Sequence, residues 1–347
     1  MTRSTRTLLV ANPTARSGKA QQSIDRALDG LERMGLAPEF FATLADGATV
    51  PALADRLEQH DVDRVVYLGG DGTFAEAAKG IMLARERYGF DIPLGMLPMG
   101  TANDQGRSFG ILAGEKALES NIEIVAKGCE QWLDVGRVEA ISSGGETIKQ
   151  DLWFDSFGLG LSARILAQRN RDRQLVGKMP LLKNIYRDKL VYAGAGVNTL
   201  LRSFVTGTQF ACEVIVDGEA HEFTSCTDLV VKGTLLYGGE WIFCEESKPD
   251  DGKFEVVVIK DHADWLGTAV RNHKHNPLTD DDREVLGIES KPVLQGKSIE
   301  LRVFRPGGIP ELPAQIDGEE FQSSDHYKVE NLFHHLRIIV PDDSRFA

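Results

Sequence analysis

The chain has little that would tie it to an oxidising compartment, to a bilayer or to a nucleic acid. Its four cysteines, Cys129, Cys212, Cys226 and Cys244, are scattered, with no Cys-x-x-Cys spacing. That argues against a zinc ribbon, offers no disulfide framework and fits a reducing cytoplasm. No apolar stretch approaches the roughly 20 residues that a membrane-spanning helix needs. The opening Met1-Thr-Arg-Ser-Thr-Arg6 runs straight into a strand pattern, with no signal-peptide apolar region. A cytoplasmic protein is therefore expected. Basic residues are in deficit, 39 Lys and Arg against 52 Asp and Glu, for a net charge of −13. No nucleic-acid partner is expected, because neutralising phosphates takes a basic face. Tight electrostatic adhesion to an anionic bilayer is disfavoured as well, which leaves transient contact with a membrane surface. The local basic excess from Arg164 to Lys189 reads as a solvated helical face and loop. Internal repeats and low-complexity tracts are lacking too.

What remains has the composition of an ordinary globular protein. With 347 residues, 42% hydrophobic and 26% charged, the chain can bury two separate cores. Its first third alternates strand and helix signals. Leu8–Ala11, Phe40–Ala42, Val65–Leu68 and Pro93–Leu97 read as strands. Ile24, Leu28 and Leu31, then Val50, Leu53 and Leu57, then Phe74, Ala77, Ala78, Ile81 and Met82 mark helical faces between them. Such alternation predicts an α/β domain with a mainly parallel sheet and ligands at the carboxyl ends of its strands.

Near Asp134 the rhythm changes and strand signals dominate. Val135–Ala140, Leu152–Phe154, Phe210–Val216, Leu229–Val231, Trp241–Phe243, Phe254–Ile259 and Leu301–Phe304 carry them. Asp217-Gly218 is a hairpin signal. Residues 1–130 therefore read as one α/β domain and 131–347 as a β-rich domain, a sandwich or barrel. Helices are expected as an insert over residues 190–204 and again near Ala263–Arg271. The last strand, Leu336–Val340, is placed to return to the first domain.

Two loops stand out, both at the carboxyl ends of strands. Gly69-Gly70-Asp71-Gly72-Thr73 follows Val65–Leu68 and precedes a helix. Glycines at positive φ would let bare backbone approach a ligand, and the helix N-terminus suits a phosphate. Asp71 puts a carboxylate where an anion is expected, so it must bind Mg²⁺, take a proton or hold a ligand donor. Pro98-Met99-Gly100-Thr101-Ala102-Asn103-Asp104 is the second loop, with one close-approach glycine and three polar side chains. One helix cap would need only one of them. Asn12-Pro13 and Arg16-Ser17-Gly18 after the first strand form a weaker third loop, which turn formation explains equally well.

Taken together and in order, these segments resemble the diacylglycerol kinase catalytic-domain family, whose bacterial members are soluble lipid kinases related to sphingosine kinases. Asn12-Pro13 with Gly18, Gly69–Thr73 with Glu76, and Pro98–Asp104 carry the resemblance. Asp134-Val135-Gly136, Phe154–Ala163, Tyr237-Gly238-Gly239, Asp250-Asp251-Gly252 and Gln315–Glu319 extend it weakly over the rest of the chain. The resemblance implies a nucleotide-binding α/β domain followed by a β-sandwich, with the active site in the interdomain cleft. It implies ATP and Mg²⁺ as cofactors and a lipid hydroxyl as acceptor, and it allows a homodimer.

Roles follow from the resemblance residue by residue. Gly69, Gly70, Asp71, Gly72 and Thr73 would cradle the ATP phosphates, with Asn12, Thr43, Glu76, Thr101 and Asn103 lining the site. Glu319 matches the residue that takes the acceptor's proton, and Asp71 is the alternative base. Asp104 and Asp134 would lie behind the reacting groups. Lys248 and Lys253 through their carbonyls, and Asp251 through its carboxylate, match a structural Mg²⁺ loop, for which a plain turn is the competing reading. His273 and His275 near Asp280–Asp282 read as solvated polar residues, and Gly194-Ala195-Gly196 as helix packing.

Departures from the family pattern are Ala75, Gln105, Asp155, Ser162 and Glu245, most of them in the second domain. The nucleotide half is thus better matched than the acceptor half. An NAD kinase is the competing enzyme, since it shares Gly-Gly-Asp-Gly-Thr, but no Asn-Glu nucleotide motif follows the loop. A non-catalytic nucleotide-binding regulator is the other alternative; retention of Asp71, Asp104 and Glu319 together argues against it.

Overall fold

A computed structural model describes residues 5–15, 20–100, 103–177, 209–237, 241–242, 244, 247–261, 264, 293–305 and 311–342. The helical insert over 190–204, nearly all of the helix expected near 263–271, and His273, His275 and Asp280–Asp282 lie outside those residues. So do Arg16-Ser17-Gly18, Thr101, Gly194–Gly196, Gly238-Gly239 and Glu245. The chain divides into two compact units. One comprises Met1–Val135, Lys248–Asp251 and Leu332–Ala347; the other comprises Gly136–Ser247 and Gly252–Asn331.

In the first unit the chain runs β1 (Thr5–Ala11), α1 (Ala20–Arg33), β2 (Leu36–Ala42), α2 (Thr49–Leu57), β3 (Arg64–Gly69), α3 (Asp71–Tyr88), β4 (Leu94–Pro98), α4 (Asp104–Ser108) and α5 (Leu118–Lys127). It leaves through β5 (Glu130–Ile141). The strands lie in the order β2-β1-β3-β4, all parallel. Continuous apolar runs such as Leu8-Leu9-Val10-Ala11 and Val65-Val66-Tyr67-Leu68 are buried, as strands covered on both faces require. On one face Leu9, Val66 and Leu97 pack against Ile24, Ala27 and Leu31 of α1 and Leu118, Ile122 and Val125 of α5. α3 stops at Gly89, whose left-handed φ of 75° turns its N–H back to the Arg85 carbonyl at 2.8 Å. Parallel pairing has one consequence for function. Ala11 pairs with Ala42 and Leu68, and Gly69 with Pro98, so four strands release their loops at one sheet edge.

The second unit holds β6 (Thr147–Trp153), β7 (Ser156–Gly160), α6 (Leu161–Gly177), β8 (Phe210–Val216), β9 (Glu219–Cys226) and β10 (Asp228–Lys232). There follow β11 (Leu236–Tyr237), β12 (Trp241–Ile242), β13 (Phe254–Ile259), β14 (Val293–Gly296), β15 (Ser298–Phe304), β16 (Ala314–Ile316) and β17 (Glu319–Phe321). Last comes β18 (His326–Ile339). One antiparallel sheet has the order β14-β13-β10-β7-β16-β17. In the other, β15 pairs with β8 and with the start of β18, β8 pairs with β9, and β5 pairs with β6. Phe157, Val231, Phe254 and Val256 of the first sheet share a core with Val214, Leu301, Tyr327 and Val329 of the second. That shared core makes the unit a sandwich. β13 is buried along its whole length, Val256 and Val258 facing this core and Val257 and Ile259 the opposite side. The end of β18 belongs to the first unit, where Ile338 pairs in parallel with Leu94 of β4.

Gly136 sits opposite Trp153, and a Cβ there would overlap the buried indole. Gly136→Ala is expected to destabilise the sandwich by about 1–3 kcal/mol through overpacking. Urea denaturation followed by Trp fluorescence measures this; an unchanged midpoint would mean that the indole moves aside at no cost.

Candidate functional site

Asn12, Thr43, Gly69–Thr73 and Asn103 all come from loops at the carboxyl edge of the first unit's sheet. The Gly69–Thr73 and Pro98–Asp104 loops are locked together by backbone. Gly69 O accepts hydrogen bonds from the N–H groups of Met99 at 2.6 Å and Gly100 at 3.1 Å. Gly100 N–H also donates to Asn103 Oδ1 at 2.8 Å. Asn103 N–H in turn donates to Asp71 Oδ2 at 2.9 Å. Asp71 is thus an anchor of the second loop, at the first turn of α3, whose positive dipole end favours its charge. Its field reaches the sheet: burial first, and then the Asp71 carboxylate, push the Tyr67 phenol above its ordinary range.

The glycines work by space. None of Gly69, Gly70 and Gly100 has a positive φ, and Gly72 lies inside α3, so the expected left-handed backbone is not the reason for them. A Cβ on Gly100 would stand 2.6 Å from Gly70 Cα, and one on Gly69 would stand 2.7 Å from Thr73 Cβ. The left-handed position is taken by Asn103 (φ 56°), a residue type that tolerates it. Asn103 is 1% exposed, and its Nδ2 has no hydrogen-bond partner among the described residues. Gln105, two residues on, is buried with both amide atoms in the same condition. Buried unsatisfied donors are costly and mark a place where a ligand or water completes the structure.

The remaining first-unit candidates are less committed. Asn12 Oδ1 accepts from the Thr14 N–H at 2.9 Å and hydroxyl at 2.8 Å, so its oxygen shapes its own turn. Thr43 is fixed by its N–H to Ala11 O at 3.0 Å, and Glu76 is half-buried on α3. Asp134 accepts the His334 N–H at 2.8 Å, a bond within this unit that gives it a structural task. Lys248 and Asp251 are exposed residues of the first unit; Lys253 is an exposed residue of the second. Among the described residues no group of three His, Cys, Asp or Glu side chains is placed to hold a metal ion. One carboxylate with carbonyl oxygens remains a donor set suited to a hard cation.

In the second unit Glu319 opens β17, directly after the two-residue turn Asp317-Gly318, with φ values of 47° and 78°. This is the left-handed pair that a tight hairpin demands, and the Ile316–Glu319 pairing closes it. Glu319 itself is exposed. The residues behind this turn escaped sequence reasoning. Asp155 is only a departure from the family pattern there, Asp317 only part of the Gln315–Glu319 resemblance, and Lys232 carries no reading at all. The available signal was Lys232, a charge closing the apolar run Leu229-Val230-Val231.

Residues 6–138 match the model of the diacylglycerol kinase catalytic domain. Over that segment the chain is similar to the diacylglycerol kinase catalytic-domain family. A candidate lipid kinase of Staphylococcus aureus is 26% identical over 261 residues, 75% of this chain and 71% of that protein. Another, from Staphylococcus epidermidis, is 29% identical over 202 residues, 58% of this chain and 55% of its own length. Among solved structures, a candidate diacylglycerol kinase from Bacillus anthracis superposes with a TM-score of 0.70 at 19% identity. It covers 99% of both chains. A second Bacillus anthracis diacylglycerol kinase structure gives 0.65 at 18% identity, covering 99% of this chain and all of the other. At such identities these structures establish the fold alone: an α/β unit and a β-sandwich unit in one chain. No helix among the described residues is long and apolar enough to cross a membrane.

Proposed function

We propose that the chain is an ATP- and Mg²⁺-dependent lipid kinase that phosphorylates a hydroxyl of diacylglycerol, a sphingoid base or a similar lipid, in transient contact with a membrane surface. The observation that carries this reading is the interlock of the two loops in the family-matched segment. Gly70 and Gly100 pack so closely that their backbones alone present a surface, beside an unsatisfied Asn103 amide. Such a surface fits the phosphate chain of a nucleotide, which needs N–H donors and no side chains in the way.

When bound, the nucleotide supplies the phosphoryl group and Mg²⁺ offsets its charge. The chain's own residues do the rest. The first turn of α3 directs its N–H groups at the phosphates. Asn103 completes its hydrogen bonds on the ligand, and Asp71 holds the Pro98–Asp104 loop in register. Glu319 accepts the proton of the acceptor hydroxyl, a poor nucleophile until that proton leaves. Asp251, with the carbonyls of Lys248 and Lys253, is the proposed resident Mg²⁺ loop.

Incubation of the purified protein with γ-labelled ATP, Mg²⁺ and separate acceptors tests the proposal. Mixed vesicles containing diacylglycerol or a sphingoid base, NAD, and small polyols are the acceptors. Label is expected in lipid. Label in NAD with none in lipid would overturn the proposal in favour of the NAD kinase reading.

A further inference from the structure

Outside the loops already described, a set of linked charges among the described residues of the second unit lies under the turn that carries Glu319. Asp317 Oδ2 accepts the Phe154 N–H at 2.8 Å, and its Oδ1 accepts those of Asp155 at 2.7 Å and Ser156 at 3.1 Å. The Asp317 N–H returns a bond to Ser156 O at 2.9 Å. Gly318 N–H donates to Oε1 of the buried Gln315 at 2.8 Å. The side chain of Asp155 accepts the Thr234 hydroxyl and the Ser156 hydroxyl, the latter at 3.1 Å. Lys232 Nζ stands 3.8 Å from Asp155, gives a 2.5 Å bond to Leu236 O, and lies 5.3 Å from the Tyr237 ring centroid. Asp155 is 2% exposed and Lys232 fully buried.

A hairpin needs none of this. Asp217-Gly218 makes the same turn elsewhere in the sandwich. There the aspartate accepts only the Lys297 and Ser298 N–H groups, at an exposed site. Burying two carboxylates against one ammonium is expensive unless each is held. The cost falls at the one turn that presents Glu319. We propose that Asp317 is a positioning residue: its clamp on the backbone of residues 154–156, backed by the Asp155–Lys232 pair, sets the orientation of Glu319. This inference rests on the reading of Glu319 as proton acceptor.

The clamp is sensitive to protonation. Burial first, and then the Asp155 carboxylate, push the Asp317 pKa up to about 7, against the lowering effect of its three N–H donors. On the elements packed against the turn, the charged groups among the described side chains are Asp155 before β7, Asp228 and Lys232 on β10, and Arg164 and Arg171 on α6; Glu319 and Glu320 belong to the hairpin itself. As pH falls through that value, Asp317 gains a proton and one of its acceptor oxygens becomes a hydroxyl, so the clamp loosens.

Three variants of the full chain test this: Asp317→Asn, Asp155→Asn and, as a control, Asp217→Asn. Asp317→Asn is expected to lower kcat on the order of 10²-fold, as misplacement of a catalytic group does, with ATP affinity unchanged. Amide exchange at residues 154–156 and 318–319 should accelerate in the same variant. Asp155→Asn removes the neighbouring negative charge, so the acid limb of the kcat–pH profile should move to lower pH. Asp217→Asn should leave kcat unaltered. Unaltered exchange at 318–319 in Asp317→Asn overturns the inference whether or not the wild type is a kinase. So does faster exchange with unaltered kcat, or an acid limb that stays put in Asp155→Asn. A wild type inactive on every acceptor instead sinks the proposed function, with the exchange result still deciding the clamp.

Discussion

Glu319→Gln is expected to reduce kcat by about 10²–10⁴-fold, the range associated with loss of a general base, while ATP affinity stays within about twofold, since uniform binding is untouched. The substitution keeps size and shape and removes the negative charge together with the capacity to take a proton. Glu319 is exposed and lies outside the Asp317 clamp, so neither the hairpin nor the sandwich core should notice the change. Steady-state lipid phosphorylation, paired with calorimetric ATP binding, separates the two quantities. Retained turnover would transfer the base role to Asp71, whose Oδ2 is engaged by the Asn103 N–H. Loss of both turnover and ATP affinity would mean that Glu319 belongs to nucleotide binding.

Gly100→Ala should have an equally large effect by a different route. The added Cβ would stand 2.6 Å from Gly70 Cα and 2.9 Å from Asn103 Oδ1. The first neighbour is backbone, which cannot swing aside as a flexible side chain does. To accept the methyl group the two loops must part, which strains the Gly69 O bonds to Met99 and Gly100. ATP binding is expected to weaken by at least about tenfold, or 1.4 kcal/mol, and stability to fall by about 1–3 kcal/mol. Calorimetric titration and thermal denaturation read these two effects. Undiminished ATP binding would show that the phosphate chain does not use this junction. Gly89→Ala would not imitate the effect, because nothing lies within 4 Å of a Cβ there and only its left-handed φ is strained.

The sequence by itself determined the change of rhythm near Asp134, the four parallel strands and the two loops at their carboxyl ends. Those are local signals: apolar runs of strand length, helical spacing and glycine placement survive without knowledge of neighbours. Asp217-Gly218 was legible for the same reason, since a two-residue turn is decided by its own backbone. The glycine-rich β7 and the three-residue β16 and β17 were not, because strands so short have no period of their own. Their pairing is imposed by β10 and by one another. Only the tertiary structure decided why the loop glycines are glycine: Gly70 and Gly100 are far apart in the chain, and their conflict exists only once β3 and β4 lie side by side. Likewise, Asp155, Lys232 and Asp317 come from three separate strand ends, and electrostatic coupling of that kind depends on distance and burial, which no spacing in the chain encodes.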